Sequence, residues 1–268
     1  MPSLATVTDA DDPRLEPYRQ VRDRDVAGRQ GGFIAEGEVV LRVLARSRLY
    51  QTRSLLIAED RIAKLAPIIA AFADEVTVFC AIQSVMDRVV GFAIHRGILG
   101  FAQRPPPILA GDLLTRLPPQ ALVLALFGIS NHDNIGGIFR NAAAFGVDAV
   151  LLDGACCDPL YRKAIRVSVG GVLMTPFAQV TQGEDILALL QRHGFDSLAL
   201  SPAGDTPLSQ IARPPRAAIL LGAEGPGLPQ NLLARTRTIT IPMAGGFDSL
   251  NVATTSGIVL HHLRRADL

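Results

Sequence analysis

The feature that most constrains the fold is a run of seven consecutive apolar residues, from Ala121 to Phe127. A strand without a polar face is expected to be buried on both sides, as strands of parallel sheets are. Further strand patterns follow at residues 147–152, 198–200 and 217–221, and at residues 238–241, which are all β-branched. Helical patterns separate these runs, so the sequence predicts an α/β fold, a parallel sheet of about five strands with helices on both faces.

Polar residues mark the beginnings of two predicted helices in this region. Asn134 precedes a helical pattern that runs to Phe145 and ends at Gly146. Ser249 precedes a second pattern that runs to about Leu263. Asparagine and serine are favoured N-caps because their side chains accept hydrogen bonds from the first free backbone N–H groups. The sequence therefore predicts Asn134 and Ser249 as the two N-caps.

The front part of the chain shows a second alternation of helix and strand patterns. Helical spacing at residues 38–47 and 60–72 alternates with strand patterns at residues 54–58 and 76–79. This alternation predicts a small α/β domain over residues 1–103.

Prolines mark the boundary between the two regions. Three of them are consecutive, from Pro105 to Pro107, and a second group, Pro118 and Pro119, precedes the long apolar run. Consecutive prolines hold an extended chain and cannot continue a helix. We therefore predict a Pro-rich linker at residues 104–120 and a second domain at residues 121–268.

Two arginines lie on the polar face of the first predicted helix. Arg42 and Arg46 are four residues apart, so they share one face of the helix. Guanidinium groups make planar, bidentate contacts with phosphate, which makes both residues candidates for RNA binding. The alternative explanation is that Arg42 and Arg46 simply form the solvated face of the helix and bind nothing.

The composition excludes several classes of protein. With 26 basic and 25 acidic residues the net charge is +1, so a surface for a polyanion would have to be a local patch. Three cysteines without a Cys/His cluster of zinc spacing predict reduced thiols and no metal. The N-terminus has no apolar signal core, and no run approaches the ~20 apolar residues that span a bilayer. We expect a cytoplasmic protein that does not enter a membrane.

Three loops at the ends of predicted strands carry the candidate chemistry. In the first loop, residues 131–141, two glycines leave the predicted start of a helix without side chains, and Arg140 follows within the same helix. A bare helix N-terminus beside a guanidinium group is suited to binding a phosphate or an oxyanion. The second, residues 221–227, and the third, residues 241–253, contain glycines that let the backbone approach a ligand closely. Open α/β sheets bind ligands at such strand ends.

The glycine spacing argues against the common nucleotide sites. Gly222, Gly225 and Gly227 run G-x-x-G-x-G, the reverse of the dinucleotide fingerprint. The chain contains no Gly-Lys pair, which excludes a P-loop, and no G-x-S-x-G nucleophile elbow. A nucleotide-dependent oxidoreductase is therefore disfavoured.

Together the three loops resemble the signature motifs of the SpoU/TrmH branch of the SPOUT RNA methyltransferases. The first motif is matched by Asn134, Gly136 and Arg140, and the second by Gly222, Glu224, Gly225 and Gly227. The third is matched by residues 241–243 and 249–252. Residues 158–171 also resemble the family, and residues 33–37 look like the opening of its L30e-like substrate-binding domain.

This resemblance implies a C-terminal trefoil knot, a homodimer, and S-adenosylmethionine as the methyl donor. The implied reaction methylates a ribose 2′-hydroxyl in rRNA or tRNA. The residues implied to bind the donor are Gly222, Ile241, Met243 and Leu250. Arg140 is implied as the catalytic arginine, and the other residues implied in the catalytic site are Asn134, Glu224, Ser249 and Asn251. A non-catalytic RNA-binding protein is the alternative, although binding alone would not require all three motifs.

Overall fold

The computed structural model describes residues 2–19, 31–245 and 249–264. The chain forms two compact units, which comprise Met1–Pro106 with Asp158–Met174, and Pro107–Cys157 with Thr175–Leu268. Residues 158–174 thus group with the first unit, although they lie inside the range predicted as one second domain. No helix of the described ranges is long and apolar enough to cross a membrane.

The first unit contains a five-stranded mixed sheet. Its strands are β1 (Ser3–Thr6), β2 (Gly32–Glu36), β3 (Gln51–Ala58), β4 (Thr77–Ala81) and β5 (Ile98–Gln103), in the order β1-β4-β3-β5-β2. β1, β4 and β3 are parallel, whereas β5 runs antiparallel to both β3 and β2. The helices of its N-terminal part are α1 (Glu38–Arg46), α2 (Ile62–Ile69) and α3 (Gln83–Val90).

The second unit contains a seven-stranded parallel sheet, in agreement with the predicted fold class. Its strands are β6 (Ala121–Phe127), β7 (Ala149–Leu152), β8 (Phe177–Gln179), β9 (Asp196–Leu200), β10 (Thr206–Pro207), β11 (Arg216–Gly222) and β12 (Arg237–Thr240). Their order is β10-β12-β9-β11-β6-β7-β8, and every neighbouring pair is parallel.

The remaining helices are α4 (Ala110–Thr115), α5 (His132–Ala144), α6 (Arg162–Val167), α7 (Ile186–Arg192), α8 (Gln230–Leu233) and α9 (Val252–Leu263). α6 belongs to the segment 158–174 of the first unit. α4 lies within the predicted linker, where Ala110, Leu113 and Leu114 are buried. Their i, i+3, i+4 spacing explains the helix, because it puts the three side chains on one apolar face.

The central strands β6 and β11 form the core of this unit. Residues 121–126 and 217–220 are at most 1% exposed, with successive side chains buried on alternate faces. One face packs against apolar residues of α4 and α7, including Leu114 and Leu190. Burial on both faces explains why these strands have no polar alternation.

In the structure, the N-cap residues of α5 and α9 are not the two residues predicted from the sequence. The side chain of Asn131, not Asn134, caps α5 by accepting a hydrogen bond from Asp133 N. The side chain of Asn251, not Ser249, caps α9. Both predicted helix starts were therefore slightly wrong: α5 begins three residues before the predicted start, whereas the cap of α9 lies two residues after Ser249. Asn134 is inside the first turn of α5 and free to use its amide elsewhere.

Candidate active site

One cavity of the second unit brings together the loops that follow β11 and β12. Its volume is about 550 Å³. Its wall includes the four residues predicted to bind the cofactor, which are Gly222, Ile241, Met243 and Leu250. It also includes three of the residues predicted for catalysis, which are Glu224, Ser249 and Asn251. The second and third loops thus form a single site, while Gly246, Phe247 and Asp248 lie outside the described residues.

The turn after β11 requires glycine at its first position. Gly227 N donates a hydrogen bond of 3.0 Å to Ala223 O, which folds the loop back on the end of the strand. A Cβ atom on Gly222 would lie 2.3 Å from the carbonyl carbon of Gly227 and 2.4 Å from Leu228 N. Backbone atoms cannot give way as a flexible side chain could, so Gly222 leaves bare backbone at the cavity wall.

The amide of Asn251 joins all three motif loops. Its Oδ1 accepts hydrogen bonds from Ala253 N at 3.0 Å and Thr254 N at 3.2 Å, which caps α9. Its Nδ2 donates to Asn134 Oδ1 at 2.9 Å and to Glu224 Oε1 at 2.6 Å. Asn134 is buried, so its amide oxygen needs such a partner. Asn251 therefore fixes the start of α9 against both α5 and the glycine turn.

Helices α5 and α9 pack closely along a seam that starts at this amide. A Cβ atom on Gly137 would lie 2.6 Å from the Cβ of Ala253, so the two helices approach through a glycine. One turn later Asn141 Nδ2 donates to Ala253 O at 2.7 Å and to Ser256 Oγ at 2.9 Å. No role was predicted for Asn141 from the sequence. The spacing of residues 134, 137 and 141 along one helix face was a signal that could have identified it.

Arg140 lies beside this seam, next to Asn141, but it does not line the cavity. Its side chain is exposed and makes no hydrogen bond or ion pair within the described part of the chain. Side chains of a helix lean toward its N-terminus, which directs this one along Gly136 and Gly137 toward the start of α5. The structure thus leaves the guanidinium free for a ligand at that end of the helix.

The predicted RNA contacts on α1 are both exposed. Arg42 Nη2 forms an ion pair of 2.9 Å with Glu38, one turn earlier on the same helix. Part of the positive charge of this row is therefore already compensated.

The cysteines and the possible metal ligands of the described residues bear on two further predictions from the sequence. Burial, and then the nearby carboxylate of Asp153, raise the pKa of the Cys156 thiol to about 12. The thiol is consequently protonated at neutral pH and a poor nucleophile. No group of three or more His, Cys, Asp or Glu side chains in the described ranges is arranged to hold a metal ion.

Replacing Asn251 tests whether the amide that joins the loops matters beyond capping the helix. Asn251→Asp keeps an oxygen for Ala253 N and Thr254 N but cannot donate to Asn134 or Glu224. Asn251→Ala should lose about 1 kcal/mol of stability with the cap. Asn251→Asp keeps the cap, but its second carboxylate oxygen would face the carboxylate of Glu224, which also lowers the stability. Both variants should lose at least about tenfold in the activity of the site, because each leaves polar groups without their partner.

Thermal unfolding and single-turnover kinetics measure the two effects of these substitutions separately. An Asn251→Asp protein with wild-type turnover would show that the amide serves only as a cap.

Comparison with known proteins gives a consistent result over almost the whole chain. An uncharacterised tRNA/rRNA methyltransferase of Mycobacterium tuberculosis is 36% identical over 97% of this chain and 91% of its own length. The 23S rRNA (guanosine-2′-O-)-methyltransferase RlmB of Acinetobacter baylyi is 30% identical over 78% of this chain and 86% of its own. The crystal structure of an AdoMet-bound rRNA methyltransferase from Sinorhizobium meliloti superposes with a TM-score of 0.80, at 25% identity and 99% coverage of both chains.

The sequence model that matches this chain covers residues 121–261, which hold all three motif loops and the cavity. This span is more than half of the chain, and the chain therefore belongs to the SpoU rRNA Methylase family.

Proposed function

We propose that this protein transfers the methyl group of S-adenosylmethionine to a ribose 2′-hydroxyl of rRNA or tRNA. The observation that carries the proposal is the single cavity formed by the loops after β11 and β12, tied to α5 through Asn251. RlmB, which shares 30% identity with this chain, is named as a guanosine-2′-O-methyltransferase. The related structure from Sinorhizobium meliloti is named as AdoMet-bound.

The cavity fits S-adenosylmethionine in size and in chemistry. Its volume of about 550 Å³ lies within the range of ~300–1,000 Å³ typical of small-molecule sites. Much of its wall is apolar, and the wall residues Leu200, Leu221, Leu233 and Val252 suit the faces of a purine. The glycine turn and the stretch from Ile241 to Met243 supply backbone groups that can bond the polar edges of a nucleoside.

S-adenosylmethionine supplies an electrophilic methyl group on a positively charged sulfur, so the protein has to orient the acceptor and stabilise charge. Arg140 can bind a phosphate next to the target ribose and stabilise the negative charge that develops on the attacking oxygen. An arginine, with a pKa above ~12, is a poor base. Of the described residues lining the cavity, Glu224 is the one with an ionisable side chain, and it can accept the hydroxyl proton.

We also propose the homodimer, the trefoil knot and the L30e-like first domain that the family resemblance implies. A shallow depression on α5 and α9, lined by Asn141, Phe145, Ile258 and His261, supports the homodimer. Ile258 is 39% exposed there, and Phe145 packs edge-on against the ring of His261 at 5.8 Å. A second copy of the chain would cover these apolar atoms.

The proposal is tested by calorimetry with S-adenosylmethionine and by methylation of purified rRNA and tRNA with a labelled donor. Digestion of the product to nucleosides, followed by mass spectrometry, distinguishes a methylated ribose from a methylated base. We expect donor binding and a 2′-O-methylated nucleoside. A protein that binds RNA but not the donor would be a non-catalytic RNA-binding protein, and a methylated base would contradict the ribose assignment.

A further inference from the structure

We propose that a cluster of four arginines at one edge of the first unit binds the phosphate backbone of the substrate RNA. The cluster, here called the β2-edge cluster, consists of Arg61, Arg96, Arg162 and Arg166. It extends the proposed function, on which it rests, by assigning a surface for the RNA in the first unit. Neither Arg61 nor Arg96 belongs to a motif that the sequence shows.

The edge is formed where β2 and β3 end and β5 begins. Gly37 follows β2 with φ +98°, and a Cβ atom there would lie 2.8 Å from Arg96 Nη1. Gly97 precedes β5 with φ +60°, and a Cβ atom there would lie 2.7 Å from both Cδ and Nε of Arg61. Two glycines in left-handed conformations therefore allow two arginine side chains to lie directly on the backbone at this edge.

Helix α6 adds two more guanidinium groups at the end of β2. The carboxylate of Glu36, the last residue of β2, is 5% exposed and forms an ion pair with Arg162. Arg166 Nη1 lies 3.9 Å from the same carboxylate oxygen. The guanidinium of Arg162 also packs 5.2 Å from the ring centroid of Phe92, which holds it in place. Arg162 is thus a fixed structural element, while Arg166 is more exposed and only loosely paired.

The charges of the cluster are not balanced. Glu36 is the only carboxylate of the described residues within ion-pair distance of the four arginines. Arg96 is exposed and has no hydrogen bond or ion pair in the described part of the chain. Arg162 and Arg166 share the single carboxylate of Glu36, and two like charges at such a short separation favour the binding of a further anion. In a chain with a net charge of +1, such a local excess indicates a specific anionic partner.

The geometry favours phosphodiester groups as the ligand. Arginine forks bind phosphate oxygens in pairs, and arginines from several segments can contact successive phosphates along a strand. The row on α1 is a weaker candidate, because Arg42 is already paired with Glu38 at 2.9 Å. The cluster differs in having the exposed side chain of Arg96 and the partly exposed side chain of Arg166, while the buried contact of Arg162 with Glu36 holds α6 in place.

The test compares the double variant Arg96→Ala/Arg166→Ala with the matched variant Arg42→Ala/Arg46→Ala. Binding of a fluorescein-labelled RNA hairpin is measured by anisotropy over a series of salt concentrations. We expect the cluster variant to bind about tenfold more weakly at low salt. The slope of log K against log salt should become shallower by about 1 for each phosphate group that the variant no longer binds. The α1 variant should lose less affinity than the cluster variant. Arg88→Ala removes an exposed arginine of α3 that belongs to neither group, and it should leave both measurements unchanged.

Thermal unfolding and calorimetry with S-adenosylmethionine show whether the variants stay folded and keep the donor site. Unchanged RNA affinity and salt slope in the cluster variant would overturn the proposal, as would weaker binding confined to the α1 variant. RNA methylation by the wild type would still stand in either case. Conversely, a wild type that binds no donor would overturn the proposed methyl transfer, while weaker RNA binding by the cluster variant would still support this surface.

Discussion

Arg140→Ala is expected to lower the rate of methyl transfer by about 100- to 1,000-fold, the usual cost of removing one donor that stabilises a developing oxyanion. The affinity for S-adenosylmethionine should change by less than about twofold. Arg140 is exposed and does not line the cavity, so its removal leaves the donor site intact. Single-turnover methylation and calorimetry measure the two quantities.

Two control variants separate the role of this guanidinium from general effects of charge. Arg140→Lys keeps the positive charge but loses the planar fork, so we expect it to recover only part of the rate. Arg116→Ala removes another exposed arginine, which follows the last turn of α4, and should leave both quantities unchanged. Full turnover in Arg140→Ala would remove this residue from the mechanism.

The sheet of the second unit could be predicted because three of its strands, β6, β7 and β11, are apolar over most or all of their length. The predicted runs correspond to β6, β7, β9, β11 and β12, which are central or long enough to show a pattern. β8 and β10 were missed. They have three and two residues, too few for any periodicity to appear, and they lie at the two edges of the sheet.

The helix caps show where local sequence rules become ambiguous. Asn131 and Asn134 are both suitable caps, and their side chains compete for the same free N–H groups at the start of α5. The structure resolves the competition through a tertiary contact, because Asn134 is needed by Asn251, 117 residues away. A single sequence cannot show such a partner.

The same limit applies to the segment 158–174. Its helix, α6, is tied to β2 through the ion pair of Arg162 with Glu36, which are 126 residues apart. Nothing in the sequence around either residue indicates that the two form a pair, because a glutamate at the end of a strand is ordinarily solvated. Resemblance to a family identified the motifs around the cavity, but it did not indicate which unit this segment would join.

Gly222→Ala is expected to weaken or abolish binding of S-adenosylmethionine, because the added methyl group has no space on either side of the turn. The new Cβ would lie 2.3 Å from the carbonyl carbon of Gly227 and 2.4 Å from its oxygen. Relief of this clash requires the loop from Ala223 to Leu228 to move away from the end of β11. Overpacking of this kind costs about 1–3 kcal/mol of free energy. If the turn must return to its wild-type position to bind the donor, this cost lowers the affinity by about tenfold to a hundredfold.

The matched control is Gly154→Ala, since a Cβ on Gly154 meets no atom within 4 Å and its φ lies outside the left-handed region. It makes the same chemical change in the same unit, so any general effect of replacing glycine appears in both variants. In calorimetry, Gly154→Ala should bind the donor with the affinity of the wild type, whereas Gly222→Ala should bind it more weakly. In thermal unfolding, only Gly222→Ala should have a lower Tm. If Gly222→Ala bound the donor as the wild type does, the turn after β11 could not form the wall of the donor site. The donor would then have to be held by the opposite wall of the cavity alone, which includes Ile241 and Met243.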